Sequence, residues 1–213
     1  MRKPHSPKEF SEQAAPPTVE QTLIVEFSQS LVRTNRALQL LSRCNRTLIR
    51  ATDEATLLQD MCRIAVDSGG YRMALVGYAE SDDEKRIRLM AQAGHEEGYV
   101  ETINLTWADR DRGRGPMGTA IRTGAPLVAR NIPTAPGSAR FRVHAAQLGY
   151  ASSIGLPLKV DGQVLGALAI YSADPEHFDA PEIALLTELA DDLAYGIQSL
   201  RDRAELDRHQ SHL

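Results

Sequence analysis

The chain has 213 residues, of which 42% are hydrophobic and 24% are charged, and its formal net charge at pH 7 is -4. This composition is ordinary for a globular domain, and the small negative charge gives no general attraction to nucleic acid or to an anionic membrane. No stretch approaches about 18 consecutive apolar residues and the first residues lack an apolar segment. We therefore expect no membrane span, no signal peptide and a cytoplasmic location.

The first 50 residues divide into a tail and a helix. Residues 1–17 contain four prolines among polar residues and are predicted to be disordered. Over residues 18–50, apolar residues alternate at spacings of three and four, which is the a/d pattern of a coiled coil and predicts a signalling helix. Two interpretations remain open: a parallel two-stranded coil, in which Asn45 would set the register, or an amphipathic helix packed on its own domain.

The same alternation returns in the C-terminal segment, residues 179–213. This segment is predicted to contain a second flanking helix with the same heptad spacing. If the flanking helices form a homodimer, the predicted interface consists of Ile24, Phe27, Leu31, Leu38, Leu41, Asn45, Leu48, Leu193, Ile197 and Leu200.

The core is predicted to span residues 51–178. It begins with a helix that Thr52 would cap and that Gly69-Gly70 would end. Pro116 suits the first position of a short helix, because its missing N–H would have no intrahelical partner there. The remaining pattern predicts strands at 71–79, 86–93, 100–107 and 127–131, and a helix at 140–148.

Residues 150–171 are predicted to form a central hairpin. Asp161-Gly162 suits a type I′ turn, which would pair Val160 with Gln163 and Leu158 with Leu165. Both faces of the hairpin are largely apolar, so it should lie in the middle of a sheet that is covered on both sides. Helices would cover one face, and the other face, thinned by Gly155, Pro157 and Gly166, leaves room for a close-packed helix or a small cavity.

The order of these elements resembles a GAF domain. The residues that carry the resemblance are a small polar pair before an apolar-Pro-Leu strand, the return strand 164–168, the segment 118–132, and Phe178 with Glu182; the first marker comprises Ser152, Ser153, Leu156, Pro157 and Leu158. The resemblance implies an α+β fold with a six-stranded antiparallel sheet. It also implies flanking helices bundled on one face and a roof of loops and short helices on the other.

The resemblance further implies a small-molecule pocket beneath residues 107–150 in a regulatory module, of the kind found in sensor histidine kinases. The cyclic-nucleotide signature of the family is reduced here to Phe178 and Glu182, so we do not expect cGMP or cAMP binding. The two cysteines, Cys44 and Cys62, fall in the early helices. We therefore expect two reduced structural thiols, no covalent bilin and no cysteine-based reductase chemistry.

Candidate ligand-binding residues follow from the roof segment and the central hairpin. Free N–H groups at the start of the helix at Pro116, together with the preceding arginines, could bind an anion, although the arginines could equally be solvated. The single tryptophan could be a lid or a stacking surface. The candidates are Trp107, Asp109, Arg110, Gly118, Thr119, Asn131, Phe141, His144, Ser152 and Ser153.

Catalytic motifs are missing from the sequence. It contains no HExxH, no GxSxG and no Walker-type lysine, and the GxGxxG letters at 113–118 lack the context of a dinucleotide site. The histidines have no metal-ligand spacing. We therefore expect a non-enzymatic sensor that binds an unidentified small molecule, forms a homodimer and signals to a kinase or other output domain, in a two-component or similar bacterial pathway. The alternatives are a structural dimerisation module without a ligand and a GAF-fold reductase.

Overall fold

The computed structural model describes residues 18–94, 98, 100, 104–134 and 139–210. For residues 139–141 it describes the backbone only. The predicted tail at 1–17 lies outside the described residues. The elements are α1 (Val19–Arg50), α2 (Glu54–Gly69), β1 (Met73–Ala79), β2 (Ile87–Gly94), α3 (Pro116–Thr123), β3 (Leu127–Arg130), α4 (Ala139–Gln147), β4 (Ser152–Val160), β5 (Gln163–Ser172) and α5 (Ala180–Gln210). Among the described residues, no helix has both the length and the apolar character needed to cross a bilayer.

The chain divides into two compact units, residues 1–32 and 33–213. In the first unit, residues 19–32 are helical and every side chain of the described residues 18–32 is exposed, including Ile24, Phe27 and Leu31. In the second unit, residues 33–50 of α1 contribute Ala37, Leu40 and Cys44 to the buried core. The predicted helix at 18–50 is therefore present, but its second half belongs to the domain.

One antiparallel sheet forms the centre of the second unit. Its order is β2-β1-β5-β4-β3, so the predicted hairpin lies inside the sheet, as its two apolar faces required. The described residues contain five strands rather than the expected six. In the segment 100–107, the structure shows a single bridge between Arg86 and Thr106, and residues 101–103 are outside the described residues.

The hairpin turn has the predicted conformation, with φ of 51° at Asp161 and 75° at Gly162. Val160 pairs with Gln163, but the register then shifts, and Leu158 pairs with Gly166 instead of Leu165. Leu165 is the extra residue of a bulge. The sequence could not exclude this shift, because both faces of the hairpin are apolar and a one-residue slip leaves no polar residue in the wrong layer.

Side chains alternate between two buried layers. The helix-side layer lies against α1, α2 and α5 and contains the strand residues Ala74, Val76, Tyr78, Ile154, Leu156, Leu158, Leu168 and Ile170. The roof-side layer lies against α3 and α4 and contains Met73, Leu75, Ala167, Ala169 and Tyr171 from the strands. The fold therefore has helices on one face and shorter elements on the other, as predicted.

Local capping explains where α2 begins and ends. Asp53, rather than the predicted Thr52, is the N-cap: its carboxylate accepts the Thr56 N–H at 2.8 Å, and this bond lowers the pKa of Asp53. Gly70 ends the helix in the left-handed conformation, with φ of 70°, as the glycine pair predicted.

Several residues predicted for a dimer interface pack inside their own chain. Leu193 and Ile197 are fully buried, and Leu41, Leu48 and Leu200 lie half-buried against the same core. Leu193 and Ile197 are therefore intrachain core residues, whereas Leu41, Leu48 and Leu200 contact the core and keep an exposed part, so the interface prediction for these three is not decided. Asn45 is half-buried, and its Oδ1 has no hydrogen-bond partner in the described structure. Of the predicted interface, Ile24, Phe27, Leu31 and Leu38 are exposed.

Candidate functional site

The roof-side layer is the candidate ligand site, because small strand side chains there face the short helices α3 and α4. Ala167 and Ala169 on β5 lie beneath α3 and α4. The covering residues are Met117, Ala120, Ile121, Ile132, Ala145, Leu148 and Tyr150. Such a layer is apolar, so the few polar atoms in it would orient any molecule that it holds.

Ser152 and Ser153 face opposite layers. Ser152 lies on the same side of β4 as Ile154, and its hydroxyl donates to the Asp174 carbonyl at 2.6 Å. Ser153 lies on the other side of the strand and is buried in the roof-side layer. Of the two candidates, only Ser153 can therefore contact a molecule beneath the roof.

Gly155, two residues along β4, is covered by the start of α3. A Cβ at this position would lie 2.2 Å from the Pro116 carbonyl oxygen and 2.8 Å from the Met117 nitrogen. Of the two alternatives that the sequence left open, a close-packed helix is therefore the correct one at Gly155. The contact also covers the N-terminal turn of α3 with the sheet.

Two tyrosines supply polar groups that the sequence analysis missed. The rings of Tyr150 and Tyr171 lie 4.9 Å apart, and the Tyr150 hydroxyl donates to Met73 Sδ at 3.3 Å. Both side chains are buried in the roof-side layer. The period-two pattern of the hairpin gave a signal for Tyr171, since it shares the parity of Ala167 and Ala169.

Trp107 closes the end of the roof-side layer beside the β1–β2 turn. Its Nε1 donates to the Glu80 carbonyl at 3.0 Å, and the Lys85 ammonium lies 4.8 Å from the ring centroid. The indole is therefore held by the domain itself, which favours the lid interpretation of this residue.

Arg122, another residue that the sequence analysis missed, cross-links the loop before α3. Its guanidinium donates to the carbonyls of Trp107, Ala108 and Gly113 at 2.9, 3.2 and 2.6 Å, and to the Thr119 hydroxyl at 3.1 Å. A long, half-buried arginine with several fixed donors can satisfy carbonyls that no strand or helix uses.

Two glycines of the GxGxxG sequence, Gly113 and Gly118, make close backbone contacts in the loop before α3. A Cβ on Gly113 would lie 2.0 Å from the Ala108 carbonyl oxygen, and one on Gly118 would lie 2.3 Å from the Gly113 carbonyl oxygen. These two residues are glycine because backbone approaches backbone there. Gly118 is therefore a packing position, and Thr119 is tied to the same loop.

The predicted cluster of arginines is largely neutralised by neighbouring acids. Arg110 donates to Glu84 at 3.0 Å, and Arg114 donates to Asp109 at 3.0 Å, which lowers the pKa of Asp109. Arg112 lines an open depression beside them. This depression has a volume of about 470 Å³ and is lined by Glu84, Asn104, Thr106, Arg110, Asp111 and Arg112. Its mixed charge does not single out an anion.

The other predicted ligand-binding residues do not form one cluster. Asn131 is exposed and has a φ of 52°, His144 is half-buried on α4, and the Phe141 side chain lies outside the described residues. In the described structure, no three His, Cys, Asp or Glu side chains could hold a metal ion. The predicted ligand set therefore separates: Ser153 lies in the roof-side layer, Ser152 faces the helices, and the other described members lie in α3, α4 and the surrounding loops.

A buried polar network lies on the helix side of the sheet. The Tyr71 hydroxyl donates to Glu182 Oε1 at 2.6 Å, and His177 Nε2 lies 3.1 Å from the same oxygen without hydrogen-bond geometry. His177 Nδ1 and the Ser172 hydroxyl are 2.7 Å apart. Burial, and then the Glu182 charge, raises the pKa of Tyr71, so its hydroxyl stays a donor. The Tyr71–Glu182 bond ties the first turn of α5 to the segment before β1, and the His177–Ser172 contact ties the segment before α5 to the end of β5.

A second link holds α5 near the point where it leaves the domain. Arg201 donates to both oxygens of Glu54 at 2.8 Å, and Tyr78 donates to Glu54 at 2.5 Å. The bond from Arg201 is the main cause that lowers the pKa of Glu54. Beyond Arg201, residues 202–210 of α5 are helical and exposed.

Comparison with known proteins identifies the family to which this architecture corresponds. A family model described as a GAF domain matches residues 51–198. A free methionine-R-sulfoxide reductase from Neisseria meningitidis, solved with its substrate, has 20% identity and a TM-score of 0.62 over 78% of this chain and 91% of that chain. No curated protein sequence matches.

Two further solved structures give a similar result. The GAF domain of a phosphoenolpyruvate-protein phosphotransferase from Coxiella burnetii has 22% identity and a TM-score of 0.63 over 81% of this chain and 98% of that chain. A domain of a putative two-component sensor histidine kinase from Sinorhizobium meliloti has 21% identity and a TM-score of 0.55 over 73% of this chain and 96% of that chain. At these identities the likeness shows the fold, and the family model covers most of the chain. This chain belongs to the GAF domain family.

Proposed function

We propose that this chain is a regulatory module that binds a small molecule in the roof-side layer and passes the change to α1 and α5 in a dimer. The observation that carries the proposal is the alternation along β4. Ser153 and Gly155 face the roof, whereas Ile154 and Leu156 face the helices. Since one strand contributes to both layers, a ligand that displaces it also changes the packing of the helices.

The mechanism requires two packings of the helix-side layer with different ligand affinities. Helix α5 can respond to a movement of the sheet, because two side-chain hydrogen bonds connect it to the rest of the domain. Glu182 holds its first turn to Tyr71, and Arg201 holds its later part to Glu54. A ligand that shifts the sheet changes the geometry of both links together. The exposed turns after Arg201 would carry the change to an output domain, such as the kinase of a two-component pathway.

Native mass spectrometry and thermal unfolding with a metabolite panel test the ligand part. A compound present at about 100 times its Kd should stabilise the domain by about 2.7 kcal/mol, which is roughly 5–10 °C in Tm. Ser153→Ala should reduce this shift, whereas Ser152→Ala should keep it, because Ser152 faces the helices. If the purified chain carries no compound and none in a broad panel shifts its Tm, the ligand-free dimerisation module becomes the better interpretation.

Sedimentation of the unmodified chain tests the dimer part separately. We expect a concentration-dependent dimer in the micromolar range. A monomer at high micromolar concentration would contradict dimerisation and leave the ligand experiment unaffected.

The reductase alternative is favoured by one observation, the similarity to the Neisseria meningitidis enzyme. Against it, Cys44 and Cys62 are both buried, and burial raises the pKa of each thiol to about 12. A thiol with that pKa is almost entirely protonated at neutral pH and is a poor nucleophile. We expect no methionine sulfoxide reduction by the full chain. Turnover that is lost in the Cys44→Ser or Cys62→Ser variant would reverse this assignment.

A further inference from the structure

Three neighbouring strands carry a row of side chains at one end of the sheet. Arg130 on β3 is the pairing partner of Ser152 on β4, and Ser152 is the partner of Ser172 on β5. Residues directly opposite each other in an antiparallel sheet project from the same face. Because Ser152 faces the helices, we name these three residues the helix-side row. All three bind residues 173–179, the segment between β5 and α5, which we name the junction loop.

The bonds from the helix-side row reach the backbone of the junction loop. The Ser152 hydroxyl donates to the Asp174 carbonyl at 2.6 Å, and the Arg130 guanidinium donates to the Phe178 carbonyl at 2.6 Å. The Ser172 hydroxyl accepts the Asp174 N–H at 3.1 Å. The path of the loop therefore depends on where the ends of three strands lie.

The junction loop also connects the two flanking helices. Its last residue, Asp179, caps α5, because the Asp179 carboxylate accepts the Glu182 N–H at 3.0 Å. From α1, the Arg33 guanidinium donates to Asp174 Oδ2 at 2.8 Å and to the Glu176 carbonyl at 3.1 Å. A movement of the loop would therefore change the position of the start of α5 relative to α1.

The adjacent row of the sheet faces the candidate ligand site. Ala129 pairs with Ser153, and Ser153 pairs with Tyr171. Ser153 and Tyr171 are buried in the roof-side layer, and Ala129 packs against that layer. We name these three residues the roof-side row. In each of the three strands, a residue of the roof-side row is the direct chain neighbour of a residue that binds the junction loop.

We propose that the junction loop carries a movement of the roof-side row to the start of α5, with Arg130 and Ser152 as the positioning residues. This inference rests on the proposed function, in which α5 responds to the roof-side layer, and it names the route. Consecutive residues share a planar peptide of fixed length, so a displaced backbone moves the side chains on both faces of its strand. The loop follows, because a hydrogen bond keeps its strength only over a narrow range of length and angle.

Hydrogen exchange in paired variants tests this route without a ligand. Ser153→Val adds volume to the buried roof-side row and displaces it. We expect the amides of residues 183–190 in α5 to exchange about tenfold faster in this variant, because the cap of the helix moves with the junction loop. In a chain that also carries Arg130→Met and Ser152→Ala, Ser153→Val should change this exchange by less than about twofold.

A matched control removes a different link to α5. Arg201→Met also takes away a guanidinium that holds α5, but its partner is Glu54 and not the junction loop. In this background, Ser153→Val should keep its roughly tenfold effect. Residues 58–66 of α2 are the internal reference, since in the described structure no hydrogen bond joins them to the junction loop, and their exchange should stay unchanged.

Three results would reject the route. The first is an equal effect of Ser153→Val with and without the two positioning residues. The second is a similar acceleration in residues 58–66, which would mean that the whole domain is destabilised. The third is unchanged exchange in residues 183–190. Ala129→Val displaces the same row from β3 and replaces Ser153→Val, with the same expected results, if that variant does not fold.

The ligand part of the proposed function is tested separately. A compound that raises the Tm and slows exchange in residues 183–190 equally with and without the Arg130 and Ser152 links supports the sensor and rejects this route. The expected pattern in the paired variants, with no compound that shifts the Tm, supports the route and rejects only the ligand part.

Discussion

Single residues decide how closely the two layers approach the sheet. Gly155 shows this most clearly, because its missing side chain lets the backbone of α3 lie directly on β4. Gly115, which precedes α3, has nothing within 4 Å of an added Cβ and a φ of -68°. Gly115 precedes the same helix that covers Gly155, yet only Gly155 is required by packing.

We therefore expect Gly155→Ala to lower the free energy of unfolding by about 2 kcal/mol, because α3 must move away from the strand. Gly115→Ala is the matched control and should change it by less than about 1 kcal/mol, the usual cost of alanine at a helix N-cap. Urea unfolding of both variants measures the difference. Equal stabilities would mean that α3 does not rest on β4.

The Tyr71 hydroxyl gives a second prediction for a single atom. Tyr71→Phe removes the donor to Glu182 Oε1 and leaves a buried carboxylate without that hydrogen bond. We expect a loss of about 1–2 kcal/mol in the free energy of unfolding. Tyr195→Phe is the control, since Tyr195 is exposed, and should have no measurable effect. A neutral Tyr71→Phe would show that the bond does not stabilise the fold.

Elements are joined by contacts between residues far apart in sequence. The link between Glu54 at the start of α2 and Arg201 in α5 is one example, and Tyr78 from β1 shares it. Because the pKa of Glu54 is lowered in the folded state, its contribution to stability is complete above the ordinary pKa of glutamate. It is lost as the pH falls through the folded pKa.

Glu54→Gln should therefore cost about 1 kcal/mol at pH 7, a figure reduced because both side chains are partly exposed. The difference between the two proteins should shrink below about pH 4.5. Urea unfolding between about pH 3 and pH 7 checks this. Asp109→Asn, in an exposed pair with Arg114, should show no such difference. A Glu54→Gln effect that is independent of pH would show that the Glu54–Arg201 ion pair does not cause the loss of stability.

Two bulges illustrate what the period of a strand can and cannot predict. The register shifts between Leu158 and Lys159 and between Val76 and Gly77. The second shift places Ala91 in the helix-side layer and Ile87 in the roof-side layer, although simple alternation predicts one face for both. Leu89, predicted to lie on that same face, is 39% exposed. Strands are thus predictable from composition, but their faces depend on pairing.

In the molecule as a whole, the division into two units has a direct consequence for stability. The described residues of the first unit, 18–32, bury no side chain, whereas Ala37, Leu40 and Cys44 in the second unit are part of the core. The boundary of the folded domain therefore falls within α1, before the predicted start of the core at residue 51.

Removing residues 1–32 should leave the urea midpoint of the domain unchanged. Removing residues 1–50 should cost more than about 3 kcal/mol, because it takes three buried side chains and their contacts out of the core. Equal midpoints for the two shortened chains would show that α1 is dispensable for the fold. A loss of stability on removing 1–32 would place part of the folded domain before Arg33.

The sequence by itself determined the local features of this protein. Residue types at short spacings predict the Asp161-Gly162 turn, the glycine end of α2, the proline start of α3, the strand-rich core and the resemblance to GAF domains. These features depend on backbone preferences and on short-range hydrogen bonds, so neighbouring residues are sufficient to specify them.

Only the tertiary structure decided which surfaces meet. A spacing of three and four serves a coiled coil and an intrachain helix layer equally well, so Leu193 and Ile197 could be assigned to the core only once α5 lay on the sheet. The same holds for the choice between Ser152 and Ser153 and for the acids that pair with Arg110 and Arg114. Burial and ion pairing join residues distant in sequence, and local spacing carries no information about those distances.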